Sequence, residues 1–285
     1  MNIKLVASDL DGTIIDKNNN ICSKNFDAIN KIHSDNIDFV VCTGKSYSVS
    51  KKICDKFNAS FGIFGNGTQI IDFRSGKEIL RKTIPKEDLL FIITFAKRNN
   101  FHIHIYTDTK IISEKLEFMD LRNFILKSEN GTTSLDFCII PDILSYVELN
   151  EVSAFSIIVT SDENSLSNFK NILSINKNID CVSINKRGKY RDNIINKDYE
   201  YLIISPININ KDTALSFLVN YLNISKNNIL AIGDNVNDLE MVKEAGIGVA
   251  VNEAYQDLKD VAKYVTSSNV SDGAFAEAVY KFIKK

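Results

Sequence analysis

The sequence predicts an α/β protein built on a parallel, doubly wound sheet and interrupted by an α+β insertion. Short, almost wholly apolar runs alternate with amphipathic helical segments over roughly the first 80 residues, as strands buried on both faces require. The middle of the chain instead shows apolar and polar residues in strict alternation, the mark of half-exposed strands. The first pattern resumes after Ser205-Pro206.

In chain order, Ile3–Ser8 reads as the first buried strand. Ser23 is placed to cap a helix carrying Phe26, Ile29 and Ile32, and Asn36 helps end it. A second strand follows at Ile37–Cys42, then a helix with Val49, Ile53 and Phe57 on one face, then a strand at Phe61–Phe64. The segment TQIIDFRSGKEILRKTI predicts a hairpin around Ser75-Gly76. Strand, helix, strand, helix, strand implies right-handed crossovers in a parallel sheet.

Residues 86–99 read as an amphipathic helix, FHIHIYT and SAFSIIVT alternate, 114–127 looks helical, and RDNIIN and YEYLIIS add strands. An antiparallel sheet with helices on one face fits this stretch. The returning half then offers helices at Lys211–Leu222, Asn237–Ala245 and Asp272–Ile283, with strands at Ile229–Gly233 and Gly248–Val251. The expected division is a core of residues 1–82 and 206–285 and an insertion of residues 83–205.

Composition excludes several classes. Lys+Arg 34 against Asp+Glu 36 gives a net charge of -2, so no basic surface favours nucleic acid or an anionic membrane. No run approaches the roughly 20 apolar residues of a membrane-spanning helix, and the N-terminus lacks the pattern of a secretory signal. The five cysteines are scattered and never spaced C-x-x-C, which fits reduced thiols in a cytoplasmic protein. There is no P-loop and no G-x-G-x-x-G.

The chemistry-bearing residues fall at strand ends. Asp9-Leu10-Asp11-Gly12-Thr13 follows the first strand, and residues two apart in extended chain face the same way, so Asp9 and Asp11 share a side. Thr43-Gly44 follows the second strand, Asn66-Gly67 the third, and Asp234 ends ILAIG with Asp238 four residues beyond. Lys211 opens a helix of the returning half. In open parallel sheets ligands bind beyond the carboxyl ends of the strands. Carboxylates gathered there repel unless a cation lies among them, and oxygen donors of this kind suit Mg2+.

DLDGT at 9–13, TGK at 43–45, NG at 66–67, Lys211 and GDNVND at 233–238 together resemble the haloacid dehalogenase superfamily of phosphatases, in particular the Cof-type group with a class IIB cap. The resemblance implies a Rossmannoid core whose inserted cap selects a small phosphorylated metabolite, with a sugar phosphate foremost. It implies Asp9 as nucleophile, Asp11 as general acid and base, and Mg2+ held by Asp9, the Asp11 carbonyl and Asp234, with Asp238 close by. Thr43, Gly12, Gly44, Asn66 and Gly67 would bind phosphoryl oxygens or shape their site, Lys211 would supply charge, and Asn252 in GVAVNEA would lie near. Two positions depart from the family pattern. Lys45 stands where Arg is commoner, at a peripheral place, and Asp212 follows Lys211 where Gly is common, its carboxylate expected to face solvent.

Each of these residues also has a plainer reading. Aspartates at strand ends cap turns, Asn-Gly is a generic turn, and a single lysine is ordinary surface. Asp16-Lys-Asn-Asn-Asn starts like a calcium loop but has Ile21 where the sharp-turn glycine belongs, and reads as a polar loop. His102 and His104 share a strand face with no third metal ligand evident. Two rival functions use the same aspartate: a phosphomutase or phosphotransferase passing the phosphoryl group to a sugar, and a phospho-acceptor or metabolite-sensing module without turnover. Asp11 argues against the last, because a stable acceptor has no use for a built-in acid and base. Oligomeric state is not written in the sequence.

Overall fold

A computed structural model describes residues 2–115, 136–185 and 200–283. The chain divides into two compact units: Met1–Lys45, Ser50–Arg81 and Ile209–Lys285 form the first, and Ser46–Val49 with Lys82–Asn208 the second.

The first unit opens with β1 (Leu5–Ser8), all four residues buried. Helix α1 (Ser23–Ser34) buries Ala28, Ile29 and Ile32. Its N-cap is Cys22, without a side-chain capping bond, so Ser23 is the first helical residue and not the cap. Asn36 ends the turn in the left-handed region, which asparagine tolerates better than most residues. Strand β2 (Asp38–Cys42) leads to α2 (Tyr47–Lys56), which buries Ser50 and Cys54 with Phe57 just beyond; Val49 and Ile53 are only half-buried. Small residues line the face packed closest, so apolar spacing pointed to the neighbouring stripe. Then come β3 (Phe61–Phe64) and the expected hairpin, β4 (Gln69–Asp72) and β5 (Lys77–Arg81).

The second unit contains α3 (Lys86–Arg98), β6 (His102–Tyr106), β7 (Lys110–Ser113), β8 (Asp136–Ile139), α4 (Ile143–Leu149), β9 (Ser156–Ser161), α5 (Glu163–Leu173), β10 (Ile179–Asn185) and β11 (Glu200–Pro206). Among the described residues its sheet has the order β10-β11-β9-β6-β7-β8, antiparallel except for the parallel pair β7–β8. Alternate residues Ile103, Ile105, Ile157, Val159, Leu202 and Ile204 join Leu89, Ile92 and Ile93 of α3 and Leu166 and Phe169 of α5 in one core. That single-sided packing is what period-two alternation demands. The helix expected at 114–127, beyond its first two residues, and the strand at RDNIIN lie outside the described residues.

The chain then returns to the first unit through α6 (Lys211–Tyr221), β12 (Ile229–Gly233), a 3-10 turn at Val236–Asp238, α7 (Leu239–Glu244), β13 (Ile247–Ala250), α8 (Gln256–Val261), β14 (Tyr264–Val265) and α9 (Ala274–Phe282). The sheet order is β14-β13-β12-β1-β2-β3-β4-β5, parallel from β14 to β3. Strand β1 pairs with β2 on one side and β12 on the other. Crossovers therefore leave β1 in opposite directions, which opens a crevice at its carboxyl end.

Candidate active site

Asp9 is the first residue past β1, and its amide donates to the Ile232 carbonyl of β12 at 3.0 Å. Register places Ser8 level with both Val41 and Ile232, so Asp9, Thr43 and Asp234 leave adjacent parallel strands at one edge. This is the crevice set up by the strand order.

Lys211 is the first residue of α6, where Asn210 and Thr213 form a reciprocal capping box. The cap fixes where the helix starts and hence where Lys211 points. Its side chain is fully buried, and Nζ donates to Asp9 Oδ1 and to Asp238 Oδ1, both at 2.6 Å. Burial alone would lower this lysine's pKa, but Asp9 and Asp238 raise it above its ordinary value, so it stays charged.

Asp238 is fully buried, and both of its oxygens are engaged: Oδ1 with Lys211, and Oδ2 with the amides of Asp234 and Asn235 at 3.1 Å each. It therefore holds the Asp234 loop and Lys211 in one arrangement. Asp234 accepts a 3.0 Å bond from Thr13 Oγ1, a fully buried hydroxyl that the sequence reading quoted within DLDGT without giving it a role. No sequence pattern marks that role: Gly12 turns the chain between Asp11 and Thr13, so the two-residue spacing of an extended strand does not carry across it.

One oxygen from each of Asp9, Asp234 and Asp238 lies within 4.8 Å of the others. Burial, only partly offset by Lys211, pushes Asp9 up to about 8. Burial and the neighbouring Asp238 push Asp234 up to about 6. Carboxylates this close need a shared proton or a cation among them. Three hard oxygen donors with one lysine fit a small divalent ion such as Mg2+.

Gly12 has φ +84, and a Cβ there would lie 2.4 Å from Asp234 Oδ2. Only glycine admits both that backbone and that contact. Asp11 lies outside the buried cluster, its side chain 46% exposed, and forms a 2.7 Å ion pair with Lys45. Thr43 is buried, its Oγ1 accepting from the Lys45 amide at 3.2 Å. Asn66, with φ 55, donates its backbone N–H to the Thr43 carbonyl at 3.1 Å, and its Oδ1 accepts from Asn237 Nδ2 at 3.0 Å. A Cβ on Gly44 would sit 3.0 Å from Asn66 Oδ1, and one on Gly67 2.4 Å from the Asn210 carbonyl. The turns after β2 and β3 are thus packed against each other and against the start of α6.

Asn252 is not drawn into the cluster. Its side chain donates to Asn269 at 2.8 Å, although its loop runs beside Asp234, whose carbonyl accepts from Tyr255 N at 2.9 Å. Asp212 does not face open solvent as expected; it is half-buried and turned toward Lys226 at 3.8 Å. Asp16 accepts from the amides of Asn18 and Asn20 at 2.8 Å, a polar turn. In the second unit the Nε2 atoms of His102 and His104 are 2.8 Å apart. Burial, then the charge of His102, pushes His104 down to about 3. No third metal ligand joins this pair among the described residues, and none of the described helices is long and apolar enough to cross a membrane.

A parallel sheet with an acidic crevice at its switch point, reached by a buried lysine, defines a class of phosphate-handling α/β proteins. The haloacid dehalogenase-like hydrolase family matches residues 6–279, and the chain belongs to it. It is similar to the 5-amino-6-(5-phospho-D-ribitylamino)uracil phosphatase YwtE of Bacillus subtilis, 28% identical over 288 residues and 95% of each chain. Among solved structures, TM0651 from Thermotoga maritima superposes with a TM-score of 0.80 at 25% identity over 99% of this chain and 98% of that one. The sugar phosphatase BT4131, of haloacid dehalogenase subclass IIB, shares the fold with a TM-score of 0.73 at 16% identity over 98% of each. It is thus a hydrolase by family, and the curated relatives it matches along nearly its whole length are phosphatases.

Proposed function

We propose that the protein is a Mg2+-dependent phosphatase that hydrolyses a small phosphorylated metabolite, a sugar phosphate foremost, through a phosphoryl group carried on Asp9. The observation that supports this most is the buried Lys211 bridging Asp9 and Asp238 beside Asp234, at the carboxyl end of the central strand.

Asp9 and Asp234 would hold the metal, with the Asp11 carbonyl beside them and Asp238 behind them fixing the loop. When bound, Mg2+ offsets the charge of the carboxylates and of the incoming phosphate, so that an anionic nucleophile meets an anionic substrate. Asp9 attacks phosphorus, its P–O bond forming as the bond to the leaving oxygen breaks. Asp11 donates a proton to that oxygen, and the alcohol departs. Water then attacks phosphorus while Asp11 takes back a proton, the Asp9–phosphorus bond breaks, and inorganic phosphate is released. Thr43 and the amides of the turns after β2 and β3 orient the phosphoryl oxygens, and Lys211 supplies positive charge.

Residues 83–205 are read as a cap that excludes water and selects the leaving group. Names of relatives point to varied esters: a ribitylaminouracil phosphate for YwtE, a sugar phosphate for BT4131. The test is phosphate release from a panel of sugar phosphates and other small monoesters, with Mg2+ or with EDTA. Metal-dependent release of one phosphate per alcohol supports the reading. An isomerised sugar phosphate without free phosphate would replace it with a mutase, and a stable phosphoprotein without turnover with a sensing module.

A further inference from the structure

We propose that Lys45 is a positioning residue for Asp11: its ammonium holds the acid/base carboxylate in place through leaving-group departure and the attack of water. This rests on the phosphatase reading above. Lys45 Nζ lies 2.7 Å from Asp11 Oδ1, with the two side chains 41% and 46% exposed. An exposed pair of this kind adds only about 0–1 kcal/mol to stability, so its value lies in geometry. Lys211 is committed to Asp9 and Asp238, and Asp11 has Lys45 as its ionic partner.

The lysine's backbone is fixed independently of that contact. Its amide donates to Thr43 Oγ1 at 3.2 Å, and its carbonyl accepts from Gly65 N at 2.9 Å. The backbone beside Asp11 is fixed as well, by Gly12 N donating to Ile15 O at 2.8 Å and the bridge between Asp11 and Ile15. The freedom left is in the two side chains, and the ion pair narrows it. One short turn therefore orients both the hydroxyl of Thr43 and the carboxylate of Asp11. Asp11 gives its proton to the leaving oxygen as the P–O bond breaks, and later takes one from water as the Asp9–phosphorus bond breaks.

The test uses the full chain with Mg2+ and compares kcat/KM for an alkyl phosphate the enzyme accepts with kcat/KM for p-nitrophenyl phosphate. A nitrophenolate leaves without a proton, and an alkoxide does not. Lys45→Met is expected to lower kcat/KM for the alkyl ester roughly tenfold, part of the 10²–10⁴ that general acid catalysis supplies, and to change p-nitrophenyl phosphate less than about twofold. Lys45→Arg is expected to restore most of the alkyl activity, and both variants to melt with the wild type. An equal fall on both substrates, or no fall, overturns this role alone. Turnover that survives Asp9→Asn overturns it together with the phosphatase mechanism.

Discussion

At the scale of single residues, Lys211 is the most exposed to test because it is the least exposed to water. A lysine with no accessible side-chain surface survives only because two carboxylates meet its ammonium. Replacing it with Met leaves Asp9 and Asp238 buried and uncompensated, and the expected loss is about 3–5 kcal/mol in urea unfolding of the metal-free protein. Gly12→Ala is expected to cost roughly 1–3 kcal/mol through its backbone alone, and to abolish metal-dependent turnover because the new methyl displaces Asp234. Titration of Mg2+ by calorimetry, run beside the unfolding curve, separates the two effects. The motifs made Asp9, Asp11, Asp234, Asp238 and Lys211 legible because each stands at a strand end or helix start that the apolar pattern locates. Thr13 on Asp234, Asn237 on Asn66 and Lys45 on Asp11 were not legible. Each is a pair formed across a long stretch of chain (221 residues for Thr13), and only folding tells which partner arrives.

At the scale of elements, the buried strands of the first unit read clearly because a strand covered on both faces is a bare apolar run. The second unit read less well. Strands β7, β8 and β10 are short or carry polar residues, and α5 went unread although Asp162 caps it and Leu166, Phe169 and Leu173 recur on one face. Helix α9 offers a prediction of its own. Glu277 receives bonds from Tyr264 Oη and from the amides of Ser267 and Ser268, tying α9 to the chain after β14. Burial works to raise its pKa, but these donors prevail and bring it down to about 2 from the ordinary 4.5. A carboxylate depressed on folding stabilises fully above its unfolded value, and that stabilisation fades as pH falls toward the folded one. Glu277→Gln is therefore expected to lower the urea midpoint at pH 7, with the gap to wild type narrowing between pH 4.5 and about 2.

At the scale of the whole molecule, the sheet order gathers the carboxylates at the switch point, where a cation would relieve their repulsion. A ligand that binds only the folded state stabilises it by mass action, about 2.7 kcal/mol at a hundredfold excess over Kd. Mg2+ is expected to raise the melting temperature of the wild type, EDTA to reverse it, and Asp234→Asn to remove most of the effect while remaining folded. The mechanism itself turns on Asp9. Asn at this position keeps the shape, removes a buried carboxylate and leaves Lys211 its bond to Asp238, so the variant is expected to fold. The most direct measurement is phosphate release by wild type and Asp9→Asn with saturating Mg2+ on the best monoester of the panel. The result expected is metal-dependent turnover in the wild type and none above background in the folded variant; turnover persisting in Asp9→Asn would contradict a phosphoryl group carried on Asp9.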